Sequence, residues 1–288
     1  IEAEAFAELC VTSVSKNLVN LFFLAENTKK TVGANLSPEQ VKALAPITEM
    51  AVLGAGVMGA GIAYQSAAKA GIKVLLKDIS FEAANKGLLH CKKIVDGDLK
   101  KKRITKLEAE KQMGLLRAQS DESGFGGLDL VIEAVVENLE VKKKVFADLE
   151  TKTRPDCILA SNTSSLRLSD MAPAFKDPSR FVGLHFFNPV HKMPLVEVVT
   201  HDKVNPEVVA RAVTYVKAIG KTPVVVKDAP GFLVNRLLLP WLTEAAWCYW
   251  EGYEISDVDR ALKNFGMPMG PFELLDEVGL DVITKVGL

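Results

Sequence analysis

Gly54-Ala55-Gly56-Val57-Met58-Gly59 is the stretch on which the fold of this chain turns. The three glycines have the spacing of a phosphate-binding turn, a common pattern whose weight comes from its flanks. Before it, residues 47–53 form a short, apolar, partly β-branched run. After it, residues 60–70 carry helical spacing, and residues 73–77 predict a second strand ending at Asp78. Strand, glycine turn, helix and strand make a β-α-β unit. Gly54 then allows the tight turn, Gly56 lets backbone approach a pyrophosphate, and Gly59 permits close packing of helix on strand, with the helix N-terminus facing the phosphates and Met58 inside the turn. Asp78 lies roughly 20 residues after Gly59, where a carboxylate binds ribose hydroxyls. That carboxylate repels a 2′-phosphate, so the pattern favours NAD over NADP, a preference softened by the adjacent Lys77. FAD sites share the spacing, and a glycine turn that merely packs is the bland alternative.

Outward from this unit, residues 82–119 read as charged helix, residues 128–136 as a buried strand, residues 139–153 as helix and residues 157–160 as strand. Further apolar runs at residues 182–187, 195–199 and 222–226 extend a sheet. The alternation predicts an α/β fold of Rossmann type: a doubly wound, mostly parallel sheet covered on both faces, followed by a smaller all-helical domain. The change of character falls at Asp228-Ala229-Pro230-Gly231. Beyond it residues 232–250 are apolar with helical spacing, and Ser256-Asp257-Val258-Asp259 resembles another helix start. The expected division is a helical segment at 1–30, a linker at 31–46, a dinucleotide-binding domain at 47–227 and a helical domain at 228–288.

Composition narrows the function classes. The chain has 288 residues, 35 Lys plus Arg against 36 Asp plus Glu, a balance that points away from nucleic acid and from an anionic membrane. An acidic ligand must therefore be caught locally. Cys10, Cys91, Cys157 and Cys248 form no C-x-x-C pair, which argues against zinc and suits a reducing, intracellular compartment. No metal site is expected. No apolar run is long enough to span a bilayer, and the acidic start is unlike a signal peptide.

Polar residues gather where the apolar strands end: Ser161-Asn162-Thr163-Ser164-Ser165, His185-Phe186-Phe187-Asn188-Pro189 and Pro230-Gly231-Phe232-Leu233-Val234-Asn235-Arg236. Ligands of open α/β sheets bind outside the carboxyl ends of the strands. Together with GAGVMGAGIA (Gly54 to Ala63), VIEAVVENL (Val131 to Leu139), ASNTSSL (Ala160 to Leu166), GLHFFNPV (Gly183 to Val190) and LVEVV (Leu195 to Val199), the segment PGFLVNR (Pro230 to Arg236) resembles the successive signatures of the 3-hydroxyacyl-CoA dehydrogenases. The similarity runs from about Ile47 to Leu288.

The resemblance implies NAD as cofactor, an acyl-CoA substrate and a set of roles. His185 would be the base that takes the hydroxyl proton, a task suited to imidazole at working pH. Glu197 would orient and stabilise it. Ser164 would hydrogen-bond the substrate 3-oxygen, Asn235 would steady developing charge there, and Asn188 would support the same pocket. Ala134 and Glu137 would lie near the nicotinamide end, with Lys142 close by. Each has a bland alternative: a packed histidine, a buried ion-pair partner, a helix cap. A hydrolytic Ser-His-Glu triad is disfavoured, since no G-x-S-x-G turn is present. Lys92, Lys93 and the run Lys100-Lys101-Lys102-Arg103 could attract coenzyme A phosphates or simply form a solvated face. His90, His191 and His201 read as incidental.

The run NLVNLFFLAENTKK (Asn17 to Lys30) resembles the end of the enoyl-CoA hydratase portion of multifunctional β-oxidation enzymes. The expectation is therefore an excised dehydrogenase portion, stopping before its helical domain is complete and packing that domain on a second copy or a following repeat. Two other readings stay open: a 3-hydroxyisobutyrate-type dehydrogenase, a class that uses a lysine at the reaction centre and against which His185 with Glu197 argues, and a nucleotide-binding module without turnover or a fragment inactive through truncation.

Overall fold

The computed structural model describes residues 2–279; the last residues of the expected helical segment, 280–288, lie outside the described residues. The chain begins with α1 (Glu2–Cys10) and α2 (Ser13–Lys30), separated by Thr12, whose hydroxyl caps α2 by accepting from the Ser15 N–H. Phe6, Leu9, Leu18, Leu21, Phe22 and Phe23 are all exposed. The intended linker contains α3 (Pro38–Ala43), started by a capping box of Ser37 and Gln40 with Pro38 in the first turn.

The sheet follows in the order the glycine turn foretells. β1 (Glu49–Leu53) leads through the glycines into α4 (Val57–Ala70) and β2 (Lys73–Lys77). The region read as one charged helix is instead α5 (Phe81–Lys100), α6 (Lys106–Gly114) and β3 (Leu116–Gln119). The break falls at the basic run: Lys102 adopts a left-handed φ of 54°, and Thr105 and Glu108 then form a capping box for α6. β3 is only four residues long and lies at the sheet edge, too short to show a period of two against the charge around it.

β4 (Leu130–Glu133), α7 (Leu139–Lys152), β5 (Ile158–Ser161), the short α8 (Leu168–Met171), β6 (Phe181–Phe186), β7 (Leu195–Thr200), α9 (Pro206–Ala218) and β8 (Thr222–Lys227) complete this part. Among the described residues the strands form one eight-stranded sheet, β3-β2-β1-β4-β5-β6-β7-β8. All its pairs are parallel except β6 with β7. Side chains alternate across it: Met50, Val52, Ile132, Ala160 and Leu184 pack with α4, α5 and α9, while Ala51, Leu53, Val131 and Leu159 pack with Phe146 and Leu149 of α7. Both faces are therefore covered, which is why these strands read as continuous apolar runs.

After β8, α10 (Val234–Trp250), α11 (Ile255–Phe265) and α12 (Pro271–Val278) form the helical segment. The buried Asp259 of α11 accepts the Phe272 and Glu273 N–H groups and so caps α12. Trp250, Tyr253 and Phe265 stay exposed. No described helix is long and apolar enough to cross a membrane.

Candidate active site

Three clusters meet at the carboxyl ends of β1, β4, β5 and β6. The first is the glycine turn. Gly54 has φ 92° and backs onto β4: a Cβ there would lie 2.4 Å from the Ala134 carbonyl oxygen. Gly59 admits no side chain, since its Cβ would meet the Gly54 oxygen at 1.8 Å, whereas a Cβ on Gly56 would meet nothing within 4 Å. The middle glycine thus faces open space, the arrangement a pyrophosphate needs at a helix N-terminus. Met58 is half-buried against the core below. The Asp78 carboxylate accepts the Ala55 N–H at 2.7 Å and the Ile79 N–H at 2.7 Å, which fixes it beside the turn. Lys77 is drawn elsewhere, paired with Glu122 at 2.7 Å, so its charge does not offset Asp78. The glycine cradle and the carboxylate together fit a dinucleotide with free ribose hydroxyls.

The second cluster is the pair across the antiparallel step. His185 on β6 is in register with Glu197 on β7, and Nδ1 of the imidazole lies 2.6 Å from Oε2 of the carboxylate. Glu197 is fully buried and His185 nearly so, between the rings of Phe187 and Phe232 at 4.5 and 5.6 Å. The other carboxylate oxygen accepts the Leu233 and Val234 N–H groups, each at 2.9 Å. These N–H groups lie at the start of α10, where the helix itself offers no acceptor and its own N-cap residue supplies no side-chain cap, so Glu197 provides it. Gly231 and Phe232, at φ 71° and 48°, turn the chain left-handed to aim those amides; for Phe232 that geometry costs about 1–3 kcal/mol. Burial pushes the Glu197 carboxyl up, but the bonds from His185, Val234 and Leu233 outweigh it and hold the group below the ordinary carboxylate range. With Nδ1 committed to an anion, Nε2 is the nitrogen left to exchange a proton.

The third cluster organises the loop after β5. Glu137 accepts from the Thr163 hydroxyl, from the Ser164 N–H at 3.1 Å and from the Ser165 hydroxyl at 3.1 Å. Its second oxygen lies 3.2 Å from the Lys142 ammonium. Burial raises the Glu137 carboxyl, yet the Lys142 charge and the Thr163 and Ser164 donors bring it below the usual range. The Ser164 hydroxyl takes no part in this network. Asn235 on α10 donates to the Ser164 carbonyl at 3.2 Å, joining the loop to the helix that Glu197 caps. Asn188 lies three residues beyond His185, exposed, ahead of a cis bond to Pro189.

Two further residues carry the site: Glu133, which sequence reasoning passed over, and Asn162, which it placed in the polar stretch 161–165 without a role of its own. Glu133, fully buried at the end of β4, accepts from Lys142 at 2.6 Å, Ser161 at 2.7 Å and the Val135 N–H at 2.8 Å. Asn162 accepts the Phe186 N–H at 3.0 Å and so ties the loop to the strand carrying His185. A glutamate inside the apolar run at residues 128–136 was the available signal for the first. The basic candidates are dispersed: Lys86, His90, Lys92 and Lys93 line a surface hollow of about 460 Å³ on α5, while Arg103 pairs with Asp98. His201 is buried and bonded to the Phe181 carbonyl, a packing role.

Residues 49–229 match the family described as 3-hydroxyacyl-CoA dehydrogenase, NAD binding domain, and residues 231–287 match 3-hydroxyacyl-CoA dehydrogenase, C-terminal domain. Among solved structures, FadB2 of M. tuberculosis is similar with 38% identity and a TM-score of 0.81, over 84% of this chain and 86% of that one. The 3-hydroxybutyryl-CoA dehydrogenase of Escherichia coli is 39% identical with a TM-score of 0.80, over 84% of this chain but 52% of that longer one. The dehydrogenase part of multifunctional enzyme 1 from C. elegans is 28% identical with a TM-score of 0.67, over 92% of this chain and 63% of that one.

Proposed function

The chain belongs to the NAD-dependent 3-hydroxyacyl-CoA dehydrogenase family, and from that premise we propose that it interconverts L-3-hydroxyacyl-CoA and 3-ketoacyl-CoA in fatty-acid β-oxidation. The observation that carries this reading is the buried His185–Glu197 pair, its carboxylate locked by the first amides of α10.

In the oxidative direction the hydroxyl proton passes to Nε2 of His185 as the C3–H bond breaks and the C3=O bond forms. Bound NAD supplies the ring that accepts the hydride. Glu197 favours the imidazolium that results, and the hydrogen bonds it accepts from the Leu233 and Val234 N–H groups lower its own affinity for the proton. Ser164 offers its hydroxyl to the 3-oxygen, and Asn235 keeps Ser164 in place by holding its carbonyl. Asn188 supports the pocket from the segment following β6. Gly54, Gly56, Met58 and Gly59 seat the pyrophosphate, Asp78 the adenosine ribose, and Ala134 and Glu137 face the nicotinamide half. Lys142 stands behind Glu137, its side chain 1% exposed. In this reading Lys92 and Lys93 of α5 attract the coenzyme A phosphates.

In the same reading residues 47–227 are the NAD-binding unit and residues 228–288 the helical one, whose exposed Trp250 and Phe265 suit packing on another helical surface. Residues 1–30 correspond to the end of a hydratase portion, a reading supported by the 92% coverage against a multifunctional enzyme's dehydrogenase part.

The test is NADH oxidation by the purified protein with acetoacetyl-CoA, with NADPH and an acyl-CoA lacking the 3-oxygen as controls. Turnover that requires both NADH and the 3-keto group is expected. Binding of NADH without turnover would instead favour a nucleotide-binding module.

A further inference from the structure

Behind Glu137 stands a group of charges that no step of the proposed reaction uses. Among the described residues Lys142 is the cation that Glu133 and Glu137 share, with Glu133 at 2.6 Å on its buried side and Glu137 at 3.2 Å on its outer side. Glu133 is fully buried and Lys142 nearly so, while the Glu137 side chain is 37% exposed. Two anions and one cation leave one net negative charge, and the outer carboxylate is the member that reaches the surface. Burying a second glutamate here is costly unless its charge is used. Packing alone would be served by an apolar residue at position 133, since its neighbours on β4, Val131 and Ile132, are buried in the core without polar partners.

We propose that Glu133, which touches no ligand, is a positioning residue that occupies the Lys142 ammonium from behind, so that Glu137 presents uncompensated negative charge to the nicotinamide and the site holds the oxidised, cationic ring more tightly than the reduced, neutral one. The proposal rests on the reading that the nicotinamide half lies at Glu137. On this account Lys142 is a brace that fixes where the Glu137 carboxylate sits, and Glu133 keeps the brace from cancelling it. Without the Glu133 charge, Lys142 would turn its whole attraction on Glu137, and the triad would become neutral.

The experiment measures the dissociation constants of NADH, by its fluorescence, and of NAD+, by competition, and takes their ratio. In Glu133→Gln, which keeps an amide able to bond Ser161 and the Val135 N–H, the ratio should move on the order of tenfold toward NADH. In the double variant Glu133→Gln with Lys142→Met the triad again carries one net negative charge, and the ratio should return to the wild-type value even if both affinities fall. A merely structural role would weaken both cofactors together and would not be repaired by a second substitution. An unchanged ratio in folded Glu133→Gln, or no return in the double variant, overturns the proposal. If Glu133→Gln does not fold, Glu137→Gln removes the outer charge and must move the ratio in the same direction; an unchanged ratio there also overturns it. These are binding measurements, so failure of the dehydrogenase reading shows separately, as absent turnover with acetoacetyl-CoA.

Discussion

Replacing Glu197 by Gln removes a charge while leaving the shape of the site nearly intact. The Gln oxygen can still accept the Leu233 and Val234 N–H groups that Glu197 holds at 2.9 Å, so the start of α10 stays capped. What is lost is the anion 2.6 Å from Nδ1 of His185, in a setting where the carboxylate is fully buried. Two unit charges with centres roughly 4 Å apart interact by about 4 kcal/mol at an effective dielectric near 20. If that energy is felt only when the imidazole carries the proton, the barrier rises by as much and the rate falls by about 10³. Stopped-flow and steady-state assays of L-3-hydroxybutyryl-CoA oxidation, the direction in which His185 gains the proton, should therefore show kcat lower by about 10²–10³, with NADH affinity and melting temperature close to wild type. Glu197→Ala should lose activity and also melt earlier, because two helix-start amides are orphaned at about 1–3 kcal/mol each. A loss in Glu197→Gln smaller than about tenfold, with folding and NADH binding intact, would refute the assignment of Glu197 as the partner that stabilises protonated His185.

Gly56 and Gly59 should separate under alanine substitution. Gly59→Ala drives a Cβ into the Gly54 carbonyl at 1.8 Å and should cost about 1–3 kcal/mol of stability as well as NADH affinity; Gly56→Ala meets no protein atom within 4 Å and should melt like wild type while binding NADH weakly, as read by fluorescence titration. Asp78→Asn should raise the NADPH-to-NADH preference by tenfold or more in order of magnitude, because Lys77 is already engaged by Glu122 and only the Asp78 charge opposes a 2′-phosphate. Acid stability should respond at Asp129. Burial raises its carboxyl, but the Thr48 and Glu49 amides, the Thr48 hydroxyl and Arg154 bring it below the ordinary value, so its contribution is complete above the unfolded pKa of about 3.9 and is lost as pH falls through the lower folded value. Asp129→Asn should lower the melting temperature at neutral pH and flatten its decline below about pH 4; an unchanged acid limb would remove Asp129 from the account.

The parts of this molecule that sequence disclosed are those in which one residue type serves one backbone need. The glycine turn, the strands with alternating packing on two covered faces, and the cross-strand partner of His185 were all legible. A one-residue slip in register would have put Glu197 on the opposite face, so the His185↔Glu197 pairing is a strict outcome that the two motifs could only imply. The helix predicted over residues 82–119 failed because α5, α6 and β3 share the same charged composition. Only the left-handed Lys102 and the Thr105 cap divide them; the first leaves no mark in sequence, while the second, Thr105 with Glu108 three residues on, is a capping-box signature that was passed over. Glu133 was overlooked since its partners, Lys142 and Ser161, come from other elements and meet only when β4, β5 and α7 are assembled. The capping of α10 by Glu197 was hidden for the same reason: a helix that lacks its own N-cap side chain takes one from a strand 36 residues away.

The central claim is that His185 moves the proton while hydride is transferred, and single-turnover reduction of acetoacetyl-CoA by pre-bound NADH tests it most directly. His185→Gln should bind NADH as wild type does, because the ring's contacts are Glu197, Phe187 and Phe232 and not the glycine turn. Its transfer rate should fall by at least about 10³. A variant that binds NADH normally and transfers hydride within about tenfold of the wild-type rate would contradict the account.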